Sequence, residues 1–184
     1  TILLPTDFSD NSLKAIEFAA MLAKQNQSRL LLFHAFSEYT SFSMSPYSVE
    51  QDIPTEDMTE EALQKIAANL VSVHGEAVPV SYISRPGEAV EEIEKVAKAE
   101  NVSLIVMGTK GTSDTVDSLM GSNTSSLIRE VKCPVLAVPA NAHFKGLRKV
   151  VFASGFEHDD TAPLQILQQL LQGFNPEITV LNIR

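Results

Sequence analysis

Two short stretches, Gly108-Thr109-Lys110-Gly111 and Gly121-Ser122-Asn123-Thr124, stand nine residues apart and follow directly on the apolar run Val102 to Met107. Small residues leave main-chain N–H groups uncovered, and consecutive exposed amides attract an anion, most plausibly a phosphate. Gly108 and Gly111 are expected to adopt positive φ and to let the backbone approach such a ligand closely. Ser122 and Asn123 are favoured at helix starts. A helix beginning there aims its positive dipole end, worth roughly 0.3 to 1 kcal/mol per anion, into the same place. Lys110 is the one cation between the two glycines and is placed to meet a β- or γ-phosphate as a point charge.

Other polar residues invite chemistry and are weaker candidates. Asp7, in Pro5-Thr6-Asp7-Phe8-Ser9, repels phosphate but can accept hydrogen bonds from ribose hydroxyls or base nitrogens; Asp7 and Ser9 also suit the cap of a first helix. His34 lies on an apolar strand and reads as a satisfied core imidazole rather than a base. Ser122, Thr124, Ser125 and Ser126 read as a capping cluster before they read as phosphorylation sites, and Glu60-Glu61 and Glu91-Glu92 read as solvated helix faces. Asp114 and Asp117 could hold a metal. No GK[ST] follows the glycines, and no magnesium-binding aspartate or water-activating base is evident.

The elements that must position these groups follow from hydropathy. Ile2 to Leu4, Leu30 to Phe36, Val78 to Ile83, Leu104 to Met107 and Val135 to Val138 read as five strands, of which Leu30 to Phe36 is a near-continuous apolar run of the doubly covered kind and Val135 to Val138 is expected at the sheet's edge. Between them, Leu13-Ile16-Ala20-Ala23, Leu63-Ile66-Leu70-Val73 and Ala89-Ile93-Val96-Ala97 recur at helical spacing, and a fourth helix is expected from about Asn123 to Val131. The alternation predicts an α/β fold: a five-stranded, mostly parallel sheet with helices on both faces and right-handed crossovers. Ligands of such sheets collect at the carboxyl ends of the strands, where the glycine stretch belongs. The connection Ser37 to Pro54 is long and reads as a surface loop rather than a cover over the site.

After a linker-like stretch at 141–147, Lys149-Val-Val-Phe-Ala-Ser-Gly-Phe156 repeats the hydropathy of Thr1-Ile-Leu-Leu-Pro-Thr-Asp-Phe8. An offset of 148 residues holds without a gap, carrying Leu22 onto Leu170 and Leu30-Leu-Leu-Phe33 onto Ile178-Thr-Val-Leu181. Residues 1–140 therefore read as a complete domain and residues 148–184 as the β-α-β opening of a second copy. In that copy Ala153-Ser154-Gly155 replaces Pro5-Thr6-Asp7, which predicts one ligand site per chain.

Composition limits the partners. The chain has 184 residues, 44% of them apolar, with a net charge of −9 and a pI near 4.9. Such an acidic protein repels nucleic acid and anionic lipid. No apolar run approaches the roughly 20 residues of a membrane span, and Thr1 opens in a strand-like run without a signal-peptide pattern. Cys133, the single cysteine, reads as a small hydrophobe at a strand entry in a reducing compartment.

Taken together, Pro5-Thr6-Asp7-Phe8-Ser9, Phe33-His34-Ala35, Met107-Gly108-x-x-Gly111, Gly121-Ser122 and Cys133-Pro-Val-Leu-Ala-Val-Pro139 resemble the universal stress protein family over about residues 1 to 140. The resemblance implies an adenine-nucleotide α-hydrolase-like domain, a cytoplasmic location, dimerisation through the last strand near Pro134 to Pro139, and, from the G-x2-G-x9-G-S spacing, membership of an ATP-binding subgroup that also includes tandem chains. By position, Asp7 would hold the adenosine, Pro5 and Thr6 would shape the floor, and Ala35 would offer backbone groups to the base. Met107 and Gly108 would lie against ribose and phosphates, and Gly111, Gly121, Ser122 and Thr124 would donate to the triphosphate, with or without magnesium. Asn123 departs from the small apolar residue more usual there; its amide could donate to phosphate or cap the helix. The expected function is a nucleotide-dependent sensor or regulator. A weak ATP hydrolase or phosphotransferase and a structural stress module that binds no nucleotide are the alternatives.

Overall fold

The computed structural model describes residues 1–36, 56–111, 120–155 and 160–182. The chain divides into two compact units, Thr1–Ala142 and His143–Arg184. The connection at 37–54 and the aspartates Asp114 and Asp117 lie outside the described residues.

In the first unit five strands, β1 (Ile2–Pro5), β2 (Leu30–Phe36), β3 (Val80–Pro86), β4 (Leu104–Gly108) and β5 (Val135–Val138), form one parallel sheet in the order β3-β2-β1-β4-β5. Four helices alternate with them: α1 (Asp10–Asn26), α2 (Glu56–His74), α3 (Ala89–Ala99) and α4 (Ser122–Glu130). Strand parity sorts the side chains. Leu3, Leu31, Phe33, Ile105 and Met107 share a core with Ile93 and Val96 of α3 and Leu127 of α4, while α1 packs on β1 and β4 and α2 on β2 and β3 from the other face. This is the three-layer α/β arrangement that the alternating runs require. The strand order reverses between β1 and β4, so their carboxyl ends, Pro5 and Gly108, flank a crevice that no crossover fills.

The second unit consists of β6 (Lys149–Ser154), α5 (Thr161–Leu170) and β7 (Glu177–Asn182), with β6 and β7 paired in parallel, an arrangement consistent with a partial second copy. Ile2 pairs with Leu30 in the first sheet and Val150 with Ile178 in the second, so the offset of 148 holds on both strands. Among the described residues no helix is long and apolar enough to cross a membrane.

Candidate functional site

Of the twelve residues that the sequence nominates, all but Gly121 line one cleft of about 190 Å³ at the β1/β4 crevice. Its walls also include Ser12, Phe33, His34, Ala89 and Ile93, so the lining combines apolar and polar groups.

The wall after β1 is held by a chain of hydroxyls. The Phe8 N–H donates to Thr6 Oγ1 at 3.0 Å, Thr6 Oγ1 and Ser12 Oγ stand 2.9 Å apart, and Ser12 Oγ donates to the Ser9 carbonyl at 2.9 Å. Because the Ser12 proton goes to a carbonyl, Thr6 must donate to Ser12. The Thr6 hydroxyl is thus consumed within the wall. Ser9 caps α1: its Oγ accepts from the Ser12 N–H at 3.2 Å and donates to Asp7 Oδ1 at 2.5 Å, while the Ser9 N–H reaches the same oxygen at 3.1 Å. The two readings of this segment are therefore compatible. Asp7 supports the cap through one oxygen and borders the cleft. Phe8 takes a left-handed conformation, φ 62°, uncommon for an aromatic residue, and its ring lies on that of His34 with centroids 4.6 Å apart. His34 Nδ1 is 2.7 Å from the Thr6 carbonyl, so that nitrogen carries the proton and donates. The half-buried imidazole is satisfied there, as read from the sequence.

The opposite wall is the end of β4. Here the structure corrects three expectations. Gly108 has no positive φ; glycine is needed because a Cβ would stand 3.0 Å from the Asn11 carbonyl oxygen, so its absence lets α1 approach β4. Gly121 lies outside the cleft lining, and its N–H donates to the Thr109 carbonyl at 2.6 Å, closing the loop on itself instead of meeting a phosphate. Thr124 lines the cleft, but its hydroxyl proton goes to the Gly108 carbonyl at 3.0 Å, tying α4 to β4. The group in this wall able to receive an anion is the first turn of α4, where the amides of Asn123 and Thr124 have no intrahelical acceptor. Gly121, with no side-chain cap bond, is the N-cap; Ser122 and Asn123 are the first two residues of the helix.

Sequence reasoning missed Asn11, Ser12 and Phe8. Ser12 fell at a helix position where serine is usually solvated, and nothing in the chain advertises that Asn11 reaches Lys110. Among the described residues no three His, Cys, Asp or Glu side chains gather to hold a metal. Glu61 and Glu91 pair with Lys65 and Lys95 at 2.7 Å. The hydrogen bond from each lysine holds the carboxyl below its ordinary range, the opposite of what a general acid needs.

Comparison with known proteins agrees with this architecture. The universal stress protein family matches residues 1–139. A universal stress protein of Thermus aquaticus is 31% identical over 144 residues, spanning 75% of this chain and 97% of its own. The solved structure of the hypothetical protein MJ0577, a universal stress protein of Methanocaldococcus jannaschii, aligns with a TM-score of 0.61 at 29% identity, covering 77% of this chain and 96% of that one. Another universal stress protein, solved in complex with cAMP, shares the fold with a TM-score of 0.57 at 22% identity, over 76% of this chain and 96% of its own. This chain belongs to the universal stress protein family.

Proposed function

We propose that the chain binds an adenine nucleotide, ATP foremost, in the β1/β4 cleft and acts as a nucleotide-dependent sensor or regulator in the cytoplasm. The observation that carries this reading is the convergence of Asp7, the Gly108–Gly111 segment and the first turn of α4 on one cleft at the strand-order reversal. A carboxylate at one end suits ribose hydroxyls, and amides at a helix start suit phosphate. In this reading Lys110, Ser122 and Asn123 meet the phosphates, Ala35 the base and Met107 the ribose; all five line the cleft. Magnesium, if bound, would travel on the phosphates, since the described residues offer it no cage. The cAMP complex of a relative supports the class of ligand and makes cyclic nucleotide the competitor to test.

A binding module is preferred to an enzyme because the sequence supplies no Walker lysine and no evident base. We further infer a homodimer through β5 and a second unit that is a partial copy of the first. Calorimetric titration with ATP, ADP, cAMP and adenosine, joined to a single-turnover incubation with labelled ATP, tests the reading. One ATP per chain with no product beyond the buffer rate is expected. Absence of binding at millimolar ATP overturns the nucleotide reading, and rapid product formation overturns the sensor.

A further inference from the structure

Asn11 stands in the first turn of α1, yet its side chain leaves that helix. Asn11 Nδ2 donates to the Lys110 carbonyl at 3.2 Å, a bond between residues 99 apart in the chain. The backbone of the same turn presses on the end of β4 where Gly108 has no Cβ. Asn11 Oδ1, in contrast, is buried with no hydrogen-bond partner among the described residues. Burying an unpaired carbonyl oxygen is unfavourable, and alanine is the better helix former. Local stability alone would therefore not select asparagine here. What the amide returns is a fixed Lys110 peptide.

We propose that Asn11 is the positioning residue of the phosphate end of the cleft, an inference that rests on the nucleotide reading above. A trans peptide is planar, so the Lys110 C=O and the Gly111 N–H point in opposite directions. Holding the carbonyl toward α1 therefore sets the direction of the Gly111 amide, and Gly111 lines the cleft. Asn11 also lies four residues from Asp7, so one carboxamide ties the nucleoside wall to the phosphate wall. Its effect falls on ligands that carry phosphate and spares the bare nucleoside.

The test is calorimetric affinity for ATP and for adenosine, measured on the wild-type chain, Asn11→Ala and Asn11→Asp, each checked for folding by thermal unfolding. Asn11→Ala is expected to lose roughly five- to tenfold in ATP affinity, the value of one hydrogen bond, while adenosine affinity stays within about twofold. Asn11→Asp should lose more, because an ionised carboxylate cannot donate to the Lys110 carbonyl and adds negative charge beside the phosphates. Equal losses for both ligands would mean a structural role and overturn the inference, as would unchanged ATP affinity in Asn11→Ala. A wild-type chain that binds neither ligand overturns the nucleotide reading and this inference together. Unchanged ATP affinity in the variant of a binding wild type overturns this inference alone.

Discussion

At Gly108 a single hydrogen atom decides whether α1 and β4 can meet. A methyl group there would crowd the Asn11 carbonyl oxygen at 3.0 Å and its carbon at 3.1 Å, both main-chain atoms that move only with their helix. Gly108→Ala is expected to destabilise the chain by about 1 to 3 kcal/mol, the usual range for overpacking, and to weaken ATP binding. Urea unfolding and calorimetry check the two effects, and a variant of wild-type stability would show that α1 yields without cost. Cys133 is a second test. Burial among apolar neighbours pushes its thiol above the ordinary range, which leaves less thiolate at neutral pH than a free cysteine has. Alkylation by iodoacetamide should be slower than that of a free cysteine in the folded protein and should speed up on unfolding; equal rates in both states would contradict this. Residue type and spacing marked the cleft because glycine, serine and aspartate advertise backbone exposure and capping. They could not tell which groups are spent internally. The Gly121 amide, the Thr124 hydroxyl and the Thr6 hydroxyl each find partners created by tertiary contact, and Gly108 is required for space and not for φ.

Among the elements, strands buried on both faces were the most legible. Leu30–Phe36 coincides with its apolar run and Glu56–His74 with its helical period, because a doubly covered strand and an amphipathic helix must display those patterns; Val135–Val138 also matches its run, although Val135, Leu136 and Ala137 are only half-buried. β3 begins at Val80, two residues past the first apolar residue of its run: Val78 is buried without being part of the ladder. β5 pairs only with β4 and so ends the sheet. The Ile105 N–H donates to the Pro134 carbonyl and the Thr109 N–H to the Val138 carbonyl. Even-numbered residues of β5 therefore face β4, and the amides of Val135 and Ala137 point outward, where an identical strand can pair with them. Ala137→Pro removes an outward donor and leaves the inward ladder in place. Sedimentation velocity at micromolar concentration should find the wild type dimeric and Ala137→Pro monomeric with native circular dichroism. A monomeric wild type, or a dimer that survives the substitution, contradicts pairing through β5.

Across the whole chain, each unit contains parallel strands joined through a helix. The Ser154 hydroxyl donates to Asp160, and Asn182 Nδ2 donates to the Ser154 carbonyl at 3.2 Å. Subtracting 148 from these positions gives the Thr6–Ser12 and His34–Thr6 bonds of the first unit, the correspondence expected if the second unit is a partial copy of the first. Burial does not repeat. Leu3 and Leu32 are 0% exposed, whereas Val151 and Val180 at the matching positions are 63% and 55% exposed. Each fully buried valine is worth about 1.5 to 3 kcal/mol, so the second unit lacks much of the stabilisation that makes the first sheet resistant. Hydrogen exchange of the intact chain is therefore expected to show the amides of β6 and β7 exchanging well before those of β1 and β4. The proposed nucleotide site would use Asp7, whose counterpart in the second unit is Gly155. A fragment of residues 1–142 should accordingly fold cooperatively and bind one ATP with the affinity of the full chain. If the fragment fails to fold, or if the full chain binds two ATP molecules, the first unit does not carry the site alone. Protection that is equal in both sheets would show instead that something covers the apolar faces of the second unit.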